Sequence, residues 1–147
     1  MKMVLDASAL AKRYVEEPGS EQISATLSQA TALGLSTICL PEVVSALNRR
    51  CREGALSPDD YQRAKALLLA DWQDATKLQL TQPVLTNAVA LLEQCQGLRA
   101  MDALHLACAL QWQAELFVSA DLRQVQAAKA AGLTVLLVGK LGDVAPA

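Results

Sequence analysis

A chain of 147 residues lies within the usual span of one compact domain, and 52% apolar against 19% charged residues, with no low-complexity tract, excludes disorder. No apolar run approaches the length of about 18 residues that a membrane span needs, and MKMVLDASAL lacks a signal peptide's apolar core and cleavage site, so a soluble cytoplasmic protein is expected. A formal net charge of −2 excludes a global positive field, so any nucleic-acid partner must be held locally.

In chain order, MVLD (3–6) is a short β-type run, and Ser8 offers an N-cap for the helical ALAKRYVEE, which Pro18 and Gly19 end. SEQISATLSQA predicts a second helix, followed by GLSTICL (34–40), whose β-branched centre predicts a second strand. Pro41 opens the helix PEVVSALNRRCRE, which stops at Gly54. In SPDD (57–60), Ser57 is a cap, Pro58 takes the first helical position and the acids complement the helix dipole, which predicts a long helix to about Asp74. TKLQL is a third strand, and VLTNAVALLEQC a helix that Gly97 terminates. LRAMDALHLACALQWQ (98–113) is a helix apolar on every face from Met101 to Leu110, hence surrounded by protein. ELFVSAD predicts a fourth strand, LRQVQAAKAAG a helix, and LTVLLV a fifth strand buried on both faces. This alternation, with crossovers too long for hairpins, predicts one α/β domain over residues 1–147, a mostly parallel sheet of four to five strands flanked by helices. Cys39, Cys51, Cys95 and Cys108 have neither zinc nor redox spacing and read as small core-filling residues.

Parallel α/β sheets bind ligands outside the carboxyl ends of their strands. Asp6 directly follows the first strand, Asp121 comes just past the fourth, Glu42 lies in the first turn of the helix after the second, and Asp102 opens the helix that leads into the fourth. Two like charges about 4 Å apart repel by roughly 4 kcal/mol at an effective dielectric of 20, so a cluster of four carboxylates needs cations or protons. Oxygen ligands without thiolate or imidazole suit Mg²⁺ or Mn²⁺, and the leading chemistry is metal-assisted phosphodiester hydrolysis with a carboxylate to accept a proton from water.

Each acid also has an ordinary structural role. Asp6 can begin a turn before Ser8, Glu42 can complement a helix dipole on what looks like a solvated face, and Asp102 and Asp121 can cap helices. His105, one turn beyond Asp102, reads as a hydrogen-bonded core residue. Ser8 can serve as both cap and support to a metal-bound water. Lys12, Arg13, Arg49, Arg50 and Arg52 sit on helices that begin at the presumed site, which makes phosphate contact plausible.

VLDASALAKRYVEEPGSE, LPEVVSALNRR, LRAMDALHLACAL and FVSADLRQVQAAKAAGL, in this order and spacing, resemble the PIN-domain ribonucleases, most closely the VapC toxins of toxin–antitoxin modules. The resemblance spans almost the whole chain. It implies a Mg²⁺- or Mn²⁺-dependent endoribonuclease with catalytic acids Asp6, Glu42, Asp102 and Asp121, of which Asp6, Asp102 and Asp121 would hold metal while Ser8 and Ser119 support them. It also implies an RNA substrate, a cognate antitoxin that blocks the site, and a homodimer. Ser119 stands where threonine is frequent, and Leu122 and Arg123 follow Asp121 where some relatives carry a further acid, which counts against a second metal. A binding module that holds RNA or protein without cutting is the alternative, and the presence of all four acids speaks against it. A receiver- or phosphatase-like protein ranks last, because Asp6-Ala7-Ser8 lacks the second aspartate of a DxD pair.

Overall fold

Alternation along the first strand sets the layering of the molecule. In the computed structural model, which describes residues 1–139, β1 (Lys2–Leu5) sends Met3 and Leu5 into one hydrophobic cluster and Val4 into another on the opposite face. Residues 140–147, the end of the domain expected over 1–147, lie outside the described residues. With β2 (Ala32–Ser36), β3 (Thr76–Leu78), β4 (Leu116–Ser119) and β5 (Val135–Leu137), β1 forms a five-stranded sheet in the order β3-β2-β1-β4-β5. Every pairing is parallel, with Val4 opposite both Gly34 and Phe117. The predicted α/β architecture is the observed one.

Helices α1 (Ala7–Leu10), α2 (Ser20–Leu27), α3 (Cys39–Arg52) and α4 (Pro58–Asp74) cover the Met3 face through Leu10, Ile23, Val43, Leu47 and Leu68. Helices α5 (Gln82–Gln94), α6 (Ala100–Trp112) and α7 (Leu122–Ala130) cover the Val4 face through Val84, Leu91, Leu106 and Ala128. Burial of a side chain such as Phe117 or Leu47, each wholly inaccessible, contributes about 1.5–3 kcal/mol, so both layers are held mainly by apolar area. Among the described residues no helix is long and apolar enough to cross a membrane. The four cysteines are free thiols, two of them buried.

Two local readings are corrected. The second strand is ALGLS rather than GLSTICL, and α3 begins at Cys39. Cys39, Val43 and Leu47 recur at a helical interval of four and are all fully buried, so packing of this stripe outweighs the β-propensity of Thr37 and Ile38. Gly34 is required within the strand, because a Cβ there would stand 2.7 Å from the Trp112 ring of α6. The first helix is also shorter than ALAKRYVEE: α1 ends at Leu10 and tightens into a 3₁₀ turn over Ala11–Arg13. Its cap is Asp6, whose Oδ1 accepts from the Ala9 N–H at 3.0 Å, not Ser8. Tyr14 is pulled out of the helical path into the core, its hydroxyl donating to Asp71 at 2.7 Å. By contrast α4 starts as its signals dictate, with Ser57 Oγ accepting from the Asp60 N–H at 3.1 Å and Pro58 in the first turn.

Candidate active site

The strand order reverses direction of growth at β1: the chain builds outward through β2 and β3, then returns to add β4 and β5 on the other side. A crevice opens outside the carboxyl ends of strands at such a switch point. Asp6 leaves β1 there and Asp121 follows β4 there. Helices joined to parallel strands run antiparallel to them, so the helices after β1, β2 and β4 start at this edge, as does α6, which feeds β4. Glu42 and Asp102 lie in the first turns of α3 and α6, while Asp6 and Asp121 cap α1 and α7. Four partial positive charges at helix N-termini thus face the acids.

Asp6 is almost completely buried and held from several sides. Its Oδ1 accepts from the Ser8 hydroxyl at 2.6 Å and its Oδ2 from the Ser119 hydroxyl at 2.5 Å. The two serines are themselves anchored, Ser8 Oγ accepting from the Ala120 N–H and Ser119 Oγ from the Asp121 N–H, each at 3.0 Å. Burial pushes the Asp6 carboxyl above its ordinary value against the pull of these hydrogen bonds. Asp102 accepts from the Arg99 N–H at 3.3 Å, so it does help to close its helix, yet its carboxyl is raised by burial and further by the charges of Asp121 and Asp6. Asp102 is therefore both an acceptor at its helix start and an electrostatic neighbour of Asp121 and Asp6. Asp121 accepts from the Arg123 N–H at 2.9 Å. Buried Gln124, on α7, donates to the Asp102 backbone carbonyl at 3.0 Å and ties the helix Asp121 caps to the turn that carries Asp102.

A divalent cation fits this donor set. Asp6, Asp102 and Asp121 are hard oxygen donors, and the charges of Asp6 and Asp121 make ionisation of Asp102 costly, a cost that a cation removes. Among the described residues no group of three or more His, Cys, Asp or Glu side chains is drawn close enough to hold a metal ion, so these acids stand as coupled neighbours rather than a closed cage.

Glu42 stands slightly apart. Its Oε1 pairs with Nε2 of His105, which reaches it from the buried centre of α6. Glu42 also lines an open cleft of about 580 Å³ together with Ser8, Lys12, Glu17, Ser45, Arg49, Arg50, Arg99 and Ala120. The face of α3 that read as simply solvated, Glu42, Ser45 and Arg49, is one wall of it. Four cationic side chains against two carboxylates give this cleft a positive balance within an acidic protein. Glu17 pairs with Lys12 at 3.2 Å and also with Arg50, holding both against the cleft. Arg13 does not join them: it is turned to Asp71, with N–O contacts of 2.6 and 3.2 Å, and lines a separate cleft with Ser24 and Asp74.

The family model of the PIN domain matches residues 3–130, which include all four acids. The chain belongs to the PIN domain family. This PIN domain is 36% identical over 111 residues to ribonuclease VapC3 of Pyrobaculum aerophilum, spanning 74% of this chain and 82% of that protein. It superposes on VapC20 of Mycobacterium tuberculosis, a sarcin-ricin loop cleaving toxin, with a TM-score of 0.68 at 18% identity, covering 90% of this chain and 96% of that one. VapBC2 of Rickettsia felis, bound to a DNA fragment from its promoter, gives a TM-score of 0.68 at 12% identity over 94% of this chain and 99% of that one. At such identities the solved structures establish the shared fold.

Two members of this PIN domain's site were not singled out from the sequence. Arg99 lay within the helical stretch 98–113 and Glu17 at the end of the helical ALAKRYVEE; neither residue type nor spacing signals a cleft assembled from separate parts of the chain. His105 was singled out for a core role, and it is buried, but among the described residues its ring hydrogen-bonds to Glu42, 63 residues away on another helix.

Proposed function

We propose that this protein is a divalent-metal-dependent endoribonuclease and the toxin of a toxin–antitoxin pair. The observation that carries this reading is the buried Asp6 at the β1/β4 switch point, bracketed by two serine hydroxyls, with Asp102 electrostatically coupled to it and to Asp121. Kinship with the PIN family and with ribonuclease VapC3 supports it. Asp6, Asp102 and Asp121 would hold Mg²⁺ or Mn²⁺, with Ser8 and Ser119 fixing the Asp6 oxygens. When bound, the cation supplies charge neutralisation and Lewis acidity toward the scissile phosphate.

The chain's own residues do the rest. The cleft cations Lys12, Arg49, Arg50 and Arg99 bind the ribose-phosphate backbone, which positions RNA without reading its sequence. Glu42, partly exposed in that cleft, accepts the proton that the attacking water loses as the new phosphorus–oxygen bond forms and the old one breaks. Aromatic residues make up 3% of the chain, too few for a stacking platform, so the substrate is recognised by shape and backbone. The same positive cleft beside an acidic centre suits an antitoxin segment carrying both charges. A homodimer and a cytoplasmic location complete the reading.

The test is cleavage of a labelled total RNA pool with Mg²⁺, Mn²⁺ or EDTA, with Asp102→Asn alongside. Metal-dependent cuts lost in the variant support the nuclease, and mapped ends name the substrate. Intact RNA throughout, with RNA retained on the protein in a filter-binding assay, would instead favour a binding module.

A further inference from the structure

A buried histidine that serves only the core normally satisfies both ring nitrogens, since an orphaned polar atom in the interior costs stability. His105 does not. It is 2% exposed, and among the described residues Nδ1 has no hydrogen-bond partner while Nε2 contacts Oε1 of Glu42. His105 belongs to α6, whose other buried residues, Ala103, Leu106, Ala107, Cys108 and Ala109, are all apolar, and its ring lies close enough to Asp6 and Asp102 for its charge to act on both. A buried polar side chain whose one hydrogen-bond partner among the described residues is an acid of the candidate site points to a role beyond packing.

We infer that His105 is a positioning residue: its Nε2–H holds the Glu42 carboxylate in one rotamer at the cleft wall, linking α6, which carries Asp102, to α3, which carries Glu42. Glu42 has three rotatable bonds and lies on an otherwise open surface. Without the contact its carboxylate samples solvent-directed rotamers and is seldom where a proton must be accepted. Because Oε1 is engaged by the ring, Oε2 is the oxygen presented to the cleft. The inference rests on the proposed nuclease reading for its kinetic consequence, but the contact itself can be observed without any RNA.

The chain contains a single histidine, so selective ¹⁵N-histidine labelling gives one unambiguous imidazole spectrum. The Nε2 resonance is expected to be that of a protonated nitrogen and to shift in Glu42→Gln, whereas Asp71→Asn leaves it unmoved. His105→Leu should lower RNA cleavage by about 10- to 100-fold, the range for loss of a hydrogen bond to a charged group, while leaving the melting temperature equal to or above that of the wild type. His105→Gln, whose amide can reach the same oxygen, should recover activity to within about threefold of the wild type. In the Glu42→Gln background His105→Leu should cost less than about twofold, because its partner is already altered. An imidazole spectrum indifferent to Glu42→Gln, or an equal cost of His105→Leu in both backgrounds, overturns the inference. Should the wild type cut no RNA, the nuclease reading fails, while the spectrum still decides whether His105 holds Glu42.

Discussion

Asp6 and Asp71 are both aspartates that accept hydrogen bonds, at opposite sides of the same layer of helices, and they are treated in opposite ways. Burial pulls the Asp71 carboxyl upward, but hydrogen bonds from Arg13 and Tyr14 and the Arg13 charge more than offset it, leaving the group below its ordinary value. Asp6 also accepts three hydrogen bonds, but all come from neutral donors, and its carboxyl is left above its ordinary value. Asp71 has its cation in the chain, with Arg13 at 2.6 Å, and its cluster is complete as it stands. Asp6 is bonded by two hydroxyls and a backbone amide, and the charge of His105 acts on it without a direct ion pair among the described residues. The Asp71 pair is neutralised within the chain, whereas under the proposed function the acids at the strand-end crevice would be neutralised by a bound divalent cation.

Breaking the acid cluster should have the largest effect. Asp6→Asn and Asp102→Asn should each reduce RNA cleavage by more than about 100-fold, beyond what loss of a supporting residue around a metal costs. Asp71→Asn should leave cleavage close to wild type in the same assay.

Metal sharpens the contrast next. Mn²⁺ at about 100 times its dissociation constant should stabilise the protein by about 2.7 kcal/mol, a rise of several degrees in Tm by calorimetry that EDTA reverses. Asp6→Asn should abolish that rise and Asp71→Asn should keep it.

The pH dependence of the metal-free protein should have opposite signs at the two places. The folded-state value of Asp71 lies below its unfolded value near 4, so its contribution is present above about pH 4 and is lost as pH falls through the folded value. Asp71→Asn should therefore cost up to about 1 kcal/mol at pH 7 and nothing at pH 2, in urea unfolding, the modest size reflecting solvent around the pair. For Asp6 the folded-state value is raised, so its ionisation destabilises the fold as pH climbs above about 4. Asp6→Asn should then increase stability at pH 7 and lose that advantage at acid pH.

The smallest effect belongs to the cleft. Arg49→Ala or Arg99→Ala should each reduce the slope of log affinity for RNA against log salt by about 1, measured by filter binding, while Arg13→Ala should not, since that guanidinium is already committed to Asp71.

The layered fold was legible because its signals are local and repeated. Ser57 with Pro58 announces α4, and the short apolar β-type run MVL announces β1. The second strand was misplaced because Thr37 and Ile38 carry strong β-propensity, while the buried Cys39, Val43 and Leu47 stripe that overrides it is recognised only once a partner surface exists. All four acids could be selected from their places at strand ends and helix starts. Their supports were harder to see: Ser119 bonding to Asp6 spans 113 residues, and Gln124 bonding to the Asp102 carbonyl joins two helices.

Local chemistry in the sequence thus determined most of the strands and helices, that the sheet is parallel, and which carboxylates stand at strand ends and helix starts, since propensity, caps and hydrophobic period act over a few residues. Only the tertiary structure decided which charges meet. It turned Arg13 away to Asp71, drew Lys12 and Arg50 around Glu17, and brought His105 to Glu42, because side-chain pairing depends on distances across elements that no sequence interval encodes.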